Sequence, residues 1–181
     1  MWKGWKQFYN RSGLATKIRL SYLILLVPVS LILFYSLFNL WYSNQRYEDM
    51  INSTLVASEF SLDFKKDFDY EIYLLIVGNK SVDESKTGEM LAKANGIVDG
   101  LEDSTESKNN QKRLDNIKKY LTNLDTYTKR IKRNIEEGNL YQQNLEIWEN
   151  DVQIVTTLVR DEISQYTYYE VRAMQQTRED Y

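Results

Sequence analysis

Cysteine and histidine are both missing from the chain, and the two absences remove much chemistry at once. Without thiols there is no disulfide framework and no thiolate metal ligation. Without imidazole the usual proton shuttle and the commonest metal ligand are gone as well. Proline occurs once, at position 28, and glycine only seven times in 181 residues, a scarcity of turn formers that argues against a many-stranded fold. An all-α protein is expected, with no catalytic residue, no metal site and no cofactor. The length suits one ordinary domain plus an anchor and is too short for a sensor joined to a catalytic domain.

Charge is also distributed unevenly. Residues 1–19 hold Lys3, Lys6, Arg11, Lys17 and Arg19 and no acid, residues 20–41 hold no charge at all, and residues 42–181 hold 18 basic against 26 acidic side chains. The charge-free run LSYLILLVPVSLILFYSLFNLW is long enough, at about 1.5 Å per residue, to cross a hydrocarbon core of roughly 30 Å. A transmembrane helix is therefore expected over 20–42. The five cations before it predict a cytoplasmic tail over 1–19 and an extracytoplasmic part over 43–181, anchored in a bacterial cell membrane. Trp41 and Tyr42 fit the outer aromatic belt. The stretch NLWYSNQRY offers no small-residue cleavage pattern, so the span reads as an uncleaved signal anchor. Pro28, inside the span, frees a backbone carbonyl and can kink the helix there, either as a tolerated proline or as a hinge.

Beyond the span, helical periodicity predicts four helices. The first carries Tyr47, Ile51, Leu55, Phe60, Phe64, Phe68, Tyr73 and Ile76 and ends near Val77, before GNKSVD. Ser81 and Glu84 match a capping box, which predicts a second helix from Val82 or Asp83. Its apolar positions are Met90, Leu91, Ala94, Ile97, Val98 and Leu101, and Gly88, Gly96 and Gly100 make it the weakest of the four. The third is the clearest, with Leu114, Ile117, Leu121, Leu124, Thr128, Ile131 and Ile135 stepping by three and four up to Gly138. The fourth is expected from Asn139, with Gln142 completing another capping box, through Tyr141, Leu145, Trp148, Val152, Val155, Val159, Tyr166, Tyr169 and Ala173. Short loops between four helices predict an antiparallel four-helix bundle whose first and last helices are the long ones. The last helix meets no stop signal before Tyr181, which predicts a chain cut short before a second span.

The opening LATKIRLSYLILLVPVSLILFYS, together with FDYEIYLLIVGNKS and NLYQQNLEIWENDVQIVTTLVRDEISQYTYYE, resembles the input half of bacterial sensor histidine kinases of the YesM/LytS-like kind. The likeness runs over most of residues 14–181. It implies an extracytoplasmic signal receiver that passes a small helix movement to a cytoplasmic kinase, and it carries over no catalytic residue, because the family's phosphoaccepting histidine has no counterpart here. Chemoreceptor input regions share the architecture, and a single-pass scaffold that offers its bundle to a partner helix is the third reading. The receptor class implies a homodimer.

Several clusters admit a site. Asp63, Asp67, Asp69 and Glu71 beside Lys65 and Lys66 could serve acid–base chemistry or a hard cation, and read first as a solvated helix face. Lys129, Arg130, Lys132 and Arg133 read as cations complementing a helix carboxyl end, with Arg130 and Arg133 as candidates for an anionic ligand. Trp148, Tyr166 and Tyr169, with Tyr168 nearby, are candidates for a sugar or peptide surface, and read first as bundle packing. The expected partners are the membrane, a second copy, and an extracellular small molecule, peptide or accessory protein. Nucleic acid is excluded by the acidic balance of the outer part. Asn52-Ser53-Thr54 and Asn79-Lys80-Ser81 match the glycosylation tripeptide and carry no weight in a bacterial chain.

Overall fold

The computed structural model describes residues 13–105, 107–138 and 140–179. Lys3, Lys6 and Arg11 of the basic tail and Asn139 of the second capping box lie outside the described residues. Every element among the described residues is helical: α1 Leu14–Ile76, α2 Thr87–Ser104, α3 Lys108–Gly138 and α4 Tyr141–Ile147, followed by a π-helical turn Trp148–Val152 and α5 Gln153–Glu179. The chain divides into two compact units, Met1–Arg46 and Tyr47–Tyr181, and α1 supplies residues to both.

In the first unit α1 is apolar and bare. Leu31 is 65% exposed, Phe34 72% and Leu37 65%, and none of its apolar window is buried. A surface of this kind is stable in lipid and costly in water. It is the one helix among the described residues that is long and apolar enough to cross a membrane. The helix runs through Pro28. Trp41 and Tyr42 are exposed; the Trp41 ring lies 6.3 Å from that of Phe38 and the Arg46 guanidinium 5.9 Å from the centre of the Tyr42 ring.

The second unit has one core. Residues of α1 contribute Ala57, Phe60, Phe64, Phe68, Ile72 and Leu75; α2 contributes Leu91, Ala94, Val98 and Leu101; α3 contributes Leu114, Ile117, Leu121, Leu124 and Ile131. The Phe60, Phe64 and Phe68 rings form a row, with centroids 4.9 and 5.3 Å apart in succession. Not all of the first helix's apolar stripe is in this core. Tyr47, Ile51, Leu55 and Tyr73 are exposed. The physical reason is a step of five on either side of the phenylalanine row, from 55 to 60 and from 68 to 73. At 3.6 residues per turn such a step leaves the buried face.

On the last helix the same step of five has the opposite outcome. Ile147 and Val152 are both buried, because the intervening turn is π-helical, with the Gln153 amide donating to the Trp148 carbonyl. A wider turn brings residues five apart onto one face, and the core continues through Val155, Val159, Ile163 and Tyr166. Tyr141 and Tyr169, placed on the stripe by periodicity, are exposed instead.

Loop chemistry corrects two helix starts. The chain leaves α1 through Gly78, whose φ of 74° is a left-handed value that side chains resist. The Asn79 amide reaches the Leu74 carbonyl at 3.0 Å and the Gly78 amide the Leu75 carbonyl at 3.2 Å, the paired bonds of a Schellman stop. The expected helix start at Val82 or Asp83 is not found: α2 begins at Thr87. Glu84 does accept from the Ser81 amide at 3.1 Å, but it takes the Ser81 hydroxyl at 2.9 Å as well. That hydroxyl is therefore spent on the carboxylate, and the pair closes a turn. At α4 the residue preceding the helix is Leu140, which has no side-chain cap.

A buried acid anchors this loop. Glu71, 7% exposed, takes Lys80 Nζ at 2.8 and 2.9 Å on its two oxygens and the Lys86 amide at 2.7 Å. Burial pushes its carboxyl up, but the Lys80 ammonium and the Lys86 amide outweigh that and hold it below the ordinary glutamate value. With the folded value depressed, the stabilisation is complete above the unfolded value of about 4.3 and is lost as pH falls through the folded one. Glu71→Gln is expected to cost about 1–2 kcal/mol at pH 7, with the gap to the native protein narrowing at pH 3, as read by paired thermal melts.

Candidate functional site

A groove runs between α1 and α2. Its deeper stretch, ≈ 280 Å3, has Phe60, Phe64, Ala94 and Ile97 for a floor, and a second stretch, ≈ 410 Å3, is lined by Tyr70 and Glu71 of α1 and by Lys86 and Glu89. Asp67, Met90 and Lys93 border both stretches, so the two adjoin. The floor is apolar because the α1 face that meets α2 carries the phenylalanine row. The depth comes from α2, which offers the small Ala94 where a larger side chain would close the gap.

The α1 wall is acidic at a fixed interval. Glu59, Asp63 and Asp67 line the groove four residues apart, and each directly precedes a phenylalanine of the row, as Glu59-Phe60, Asp63-Phe64 and Asp67-Phe68. All three are exposed, and none has an ion-pair partner among the described residues. Like charges four apart on a helix destabilise it by about 0.2–0.5 kcal/mol per pair, so this ladder carries a cost. Lys93, on the facing wall, is beyond ion-pair distance of all of them. Among the described residues no three acids converge closely enough to hold a metal ion, so the carboxylates form a line along the groove.

The other side of α1 meets α5 through polar groups. Ser61 and Ser164 hydroxyls are 3.2 Å apart. Lys65 Nζ donates to Asp69 Oδ2 at 2.6 Å, to the Thr156 hydroxyl at 3.1 Å and to the Gln153 carbonyl at 3.4 Å. The Thr156 hydroxyl donates to Asp69 Oδ1 at 2.8 Å. The π turn sits at this node: the Trp148 indole N–H reaches the Asp69 carbonyl at 3.3 Å and the ring lies 5.6 Å from that of Tyr73. Asp69 and Lys65, read from the sequence as part of one solvated face with Asp63 and Asp67, are thus turned to the opposite flank of α1 and half-buried in a seam.

A second polar node lies near the start of α3. Tyr166, 1% exposed, is a core residue and offers no surface to a ligand. Its hydroxyl is 2.9 Å from that of Thr105. Burial, opposed in part by the bond to Thr105 and assisted by the Glu170 carboxylate, pushes its phenol pKa up. Asn110 Nδ2 donates to Glu170 Oε1 at 2.6 Å. Tyr169 is half-exposed beneath the Arg113 guanidinium, 5.0 Å from its centre, and edge-on to Tyr168 at 5.3 Å. Arg113 also binds Glu162 at 3.1 Å. Trp148 and Tyr169 therefore lie twenty-one residues apart, at either end of a stretch in which Tyr166 is buried. Arg130 and Arg133 are exposed, and the last turn of α3 carries no basic residue, so the cation cluster stands short of the carboxyl end it was expected to complement.

The groove's acid ladder was visible in the sequence as three acid–phenylalanine pairs at intervals of four. What hid it was the neighbouring Lys65, Lys66 and Asp69, which make residues 59–71 look like an evenly mixed solvated surface. Compared with protein-family models, with curated proteins and with solved structures, the chain matches none.

Proposed function

We propose that this chain is the extracytoplasmic signal-input region of a two-component sensor histidine kinase, built as an antiparallel four-helix bundle on a signal anchor. The observation that carries the reading is the polar α1–α5 seam. Its partners run in opposite directions along the two helices, Ser61 with Ser164 and Asp69 with Thr156 and Trp148, as antiparallel neighbours would. Hydroxyl and ammonium donors can exchange acceptors one residue along at little cost, whereas interdigitated leucines cannot. The π turn adds one residue to the register beside that seam, a feature common where helices shift in function. Binding would bias two packings and move α5 against α1 by about 1–2 Å, the scale of known interface helix shifts. The same helix, α1, supplies both the apolar span and the first member of the seam.

A homodimer is part of the proposal. Leu55 and Leu62 of α1 are 57% and 74% exposed, seven residues apart on one ridge, the spacing of a coiled-coil seam. Because the chain has no cysteine, single introduced thiols test both orientation and pairing without background. Gln165→Cys is expected to react with a membrane-impermeant maleimide in intact cells and Thr16→Cys only after permeabilisation. Equal labelling of the two would rule out the topology. Leu62→Cys is expected to cross-link to its own copy under mild oxidation, with Asn123→Cys on α3 as the control that does not.

A further inference from the structure

We propose that the α1–α2 groove binds a cationic amphipathic helix, its apolar face on Val56, Met90 and Ile97 and its basic side chains against Glu59, Asp63 and Asp67. This goes beyond the signalling reading, because binding is a property of the groove and is measured without any output domain.

Three features choose the occupant. The first is interval: carboxylates four residues apart on a helix repeat every ~6 Å, and so do lysines or arginines four apart on a second helix laid alongside it. Two matched ladders pair at each step without bending either helix. The second is length. The lining residues from Val56 to Glu71 of the two adjoining stretches cover about 22 Å of α1, room for about four turns of a ligand helix. A single organic cation would use one carboxylate and leave the others unpaired, and a bare divalent ion would need ligands that converge, which these do not. The third is chemistry. Above the buried Phe60, Phe64 and Ala94 the groove presents Val56, which is exposed, and the half-buried Met90 and Ile97, an apolar strip that takes a helix face in the manner of helix-in-groove recognition. A helix seated in the groove covers the carboxylates from one side, and charge pairs strengthen when shielded from water.

The polarity of the walls also orients the ligand. The α1 wall is acidic along its length, while the facing wall carries Lys86, the residue before α2, and Lys93 with Glu89 between them. The basic flank of the incoming helix therefore lies on α1, and its opposite flank, facing α2, is neutral or acidic.

The test uses the whole chain in phosphatidylcholine nanodiscs and a synthetic leucine–lysine peptide of about fifteen residues, lysines every four, titrated calorimetrically with empty discs subtracted. Saturable one-to-one binding that weakens with salt is expected. Asp63→Asn/Asp67→Asn should lower the affinity at least about tenfold, and Asp161→Asn, an exposed acid on α5, should leave it unchanged. Asp63→Lys/Asp67→Lys should prefer the same peptide rebuilt with glutamates. Circular dichroism of each variant is read first, and Glu59→Gln supplies the measurement should a double variant lose helicity. Equal affinity of the native and neutralised chains overturns the proposal. So does saturable binding of spermine that the peptide fails to displace, which would make the groove a site for small polycations.

Discussion

Phe68→Ala is expected to lower the unfolding free energy by about 3–5 kcal/mol, the range for deleting a buried phenylalanine. Phe68 has no exposed surface and stacks on Phe64 at 5.3 Å, so its loss opens a void in the middle of α1's buried face. Neighbouring side chains cannot collapse into that void without moving α1 off α5, since the Lys65–Asp69–Thr156 node holds the two helices at the same level. The cost should therefore sit at the upper end of the range. Leu62→Ala, on the same helix but 74% exposed, is the matched control and should change stability by less than about 0.5 kcal/mol in the monomeric protein. Denaturant unfolding of both variants followed by far-ultraviolet dichroism makes the measurement. A Phe68→Ala cost below about 1 kcal/mol would mean that the phenylalanine row is not the core of this unit.

Under the proposed helix-shift mechanism, Val171→Pro should abolish the response to stimulus. Proline in a helix interior removes one amide donor and collides with the carbonyl four residues earlier, here that of Thr167, at about 3 kcal/mol or more. Val171 lies one residue after Glu170, whose carboxylate takes the Asn110 amide, so a break here separates the packed part of α5 from the turns that follow. A shift of α5 against α1 can be transmitted only by a helix that remains rigid past that point. Val171→Ala keeps the helix and should respond as the native protein does. Retained signalling by the proline variant, with expression equal to native, would sink the helix-shift mechanism while leaving ligand binding in the α1–α2 groove untouched.

The steps in the last helix show how far periodicity carries. Runs of three and four identified α3 almost residue by residue, from Leu114 to Ile131, because nothing on that helix competes with a simple packed stripe. The same rule assigned Ile51 and Leu55 to the core, and they are exposed. Local spacing reports that a residue is apolar and near a face. Which neighbour covers that face depends on helices distant in the chain.

Capping residues show a different limit. Ser81 and Glu84 do hydrogen-bond as a capping pair would, yet they close a turn that precedes the helix. The helix start was decided at Glu71, whose buried carboxylate draws in the Lys86 amide from fifteen residues away. No window of local sequence contains both partners.

Composition alone was enough to determine an all-helical chain with one apolar, charge-free segment of membrane-spanning length, since the lack of turn formers and of charge acts at every position. The acid–phenylalanine interval of α1 was likewise written in the sequence. Only the tertiary structure decided that this interval faces an open groove, that Asp69 and Lys65 turn away from it into a seam, and that Tyr166 is core while Tyr169 is not. Burial is set by what packs opposite, and a π turn at Trp148–Val152 changes which residues face inward without changing their order along the chain.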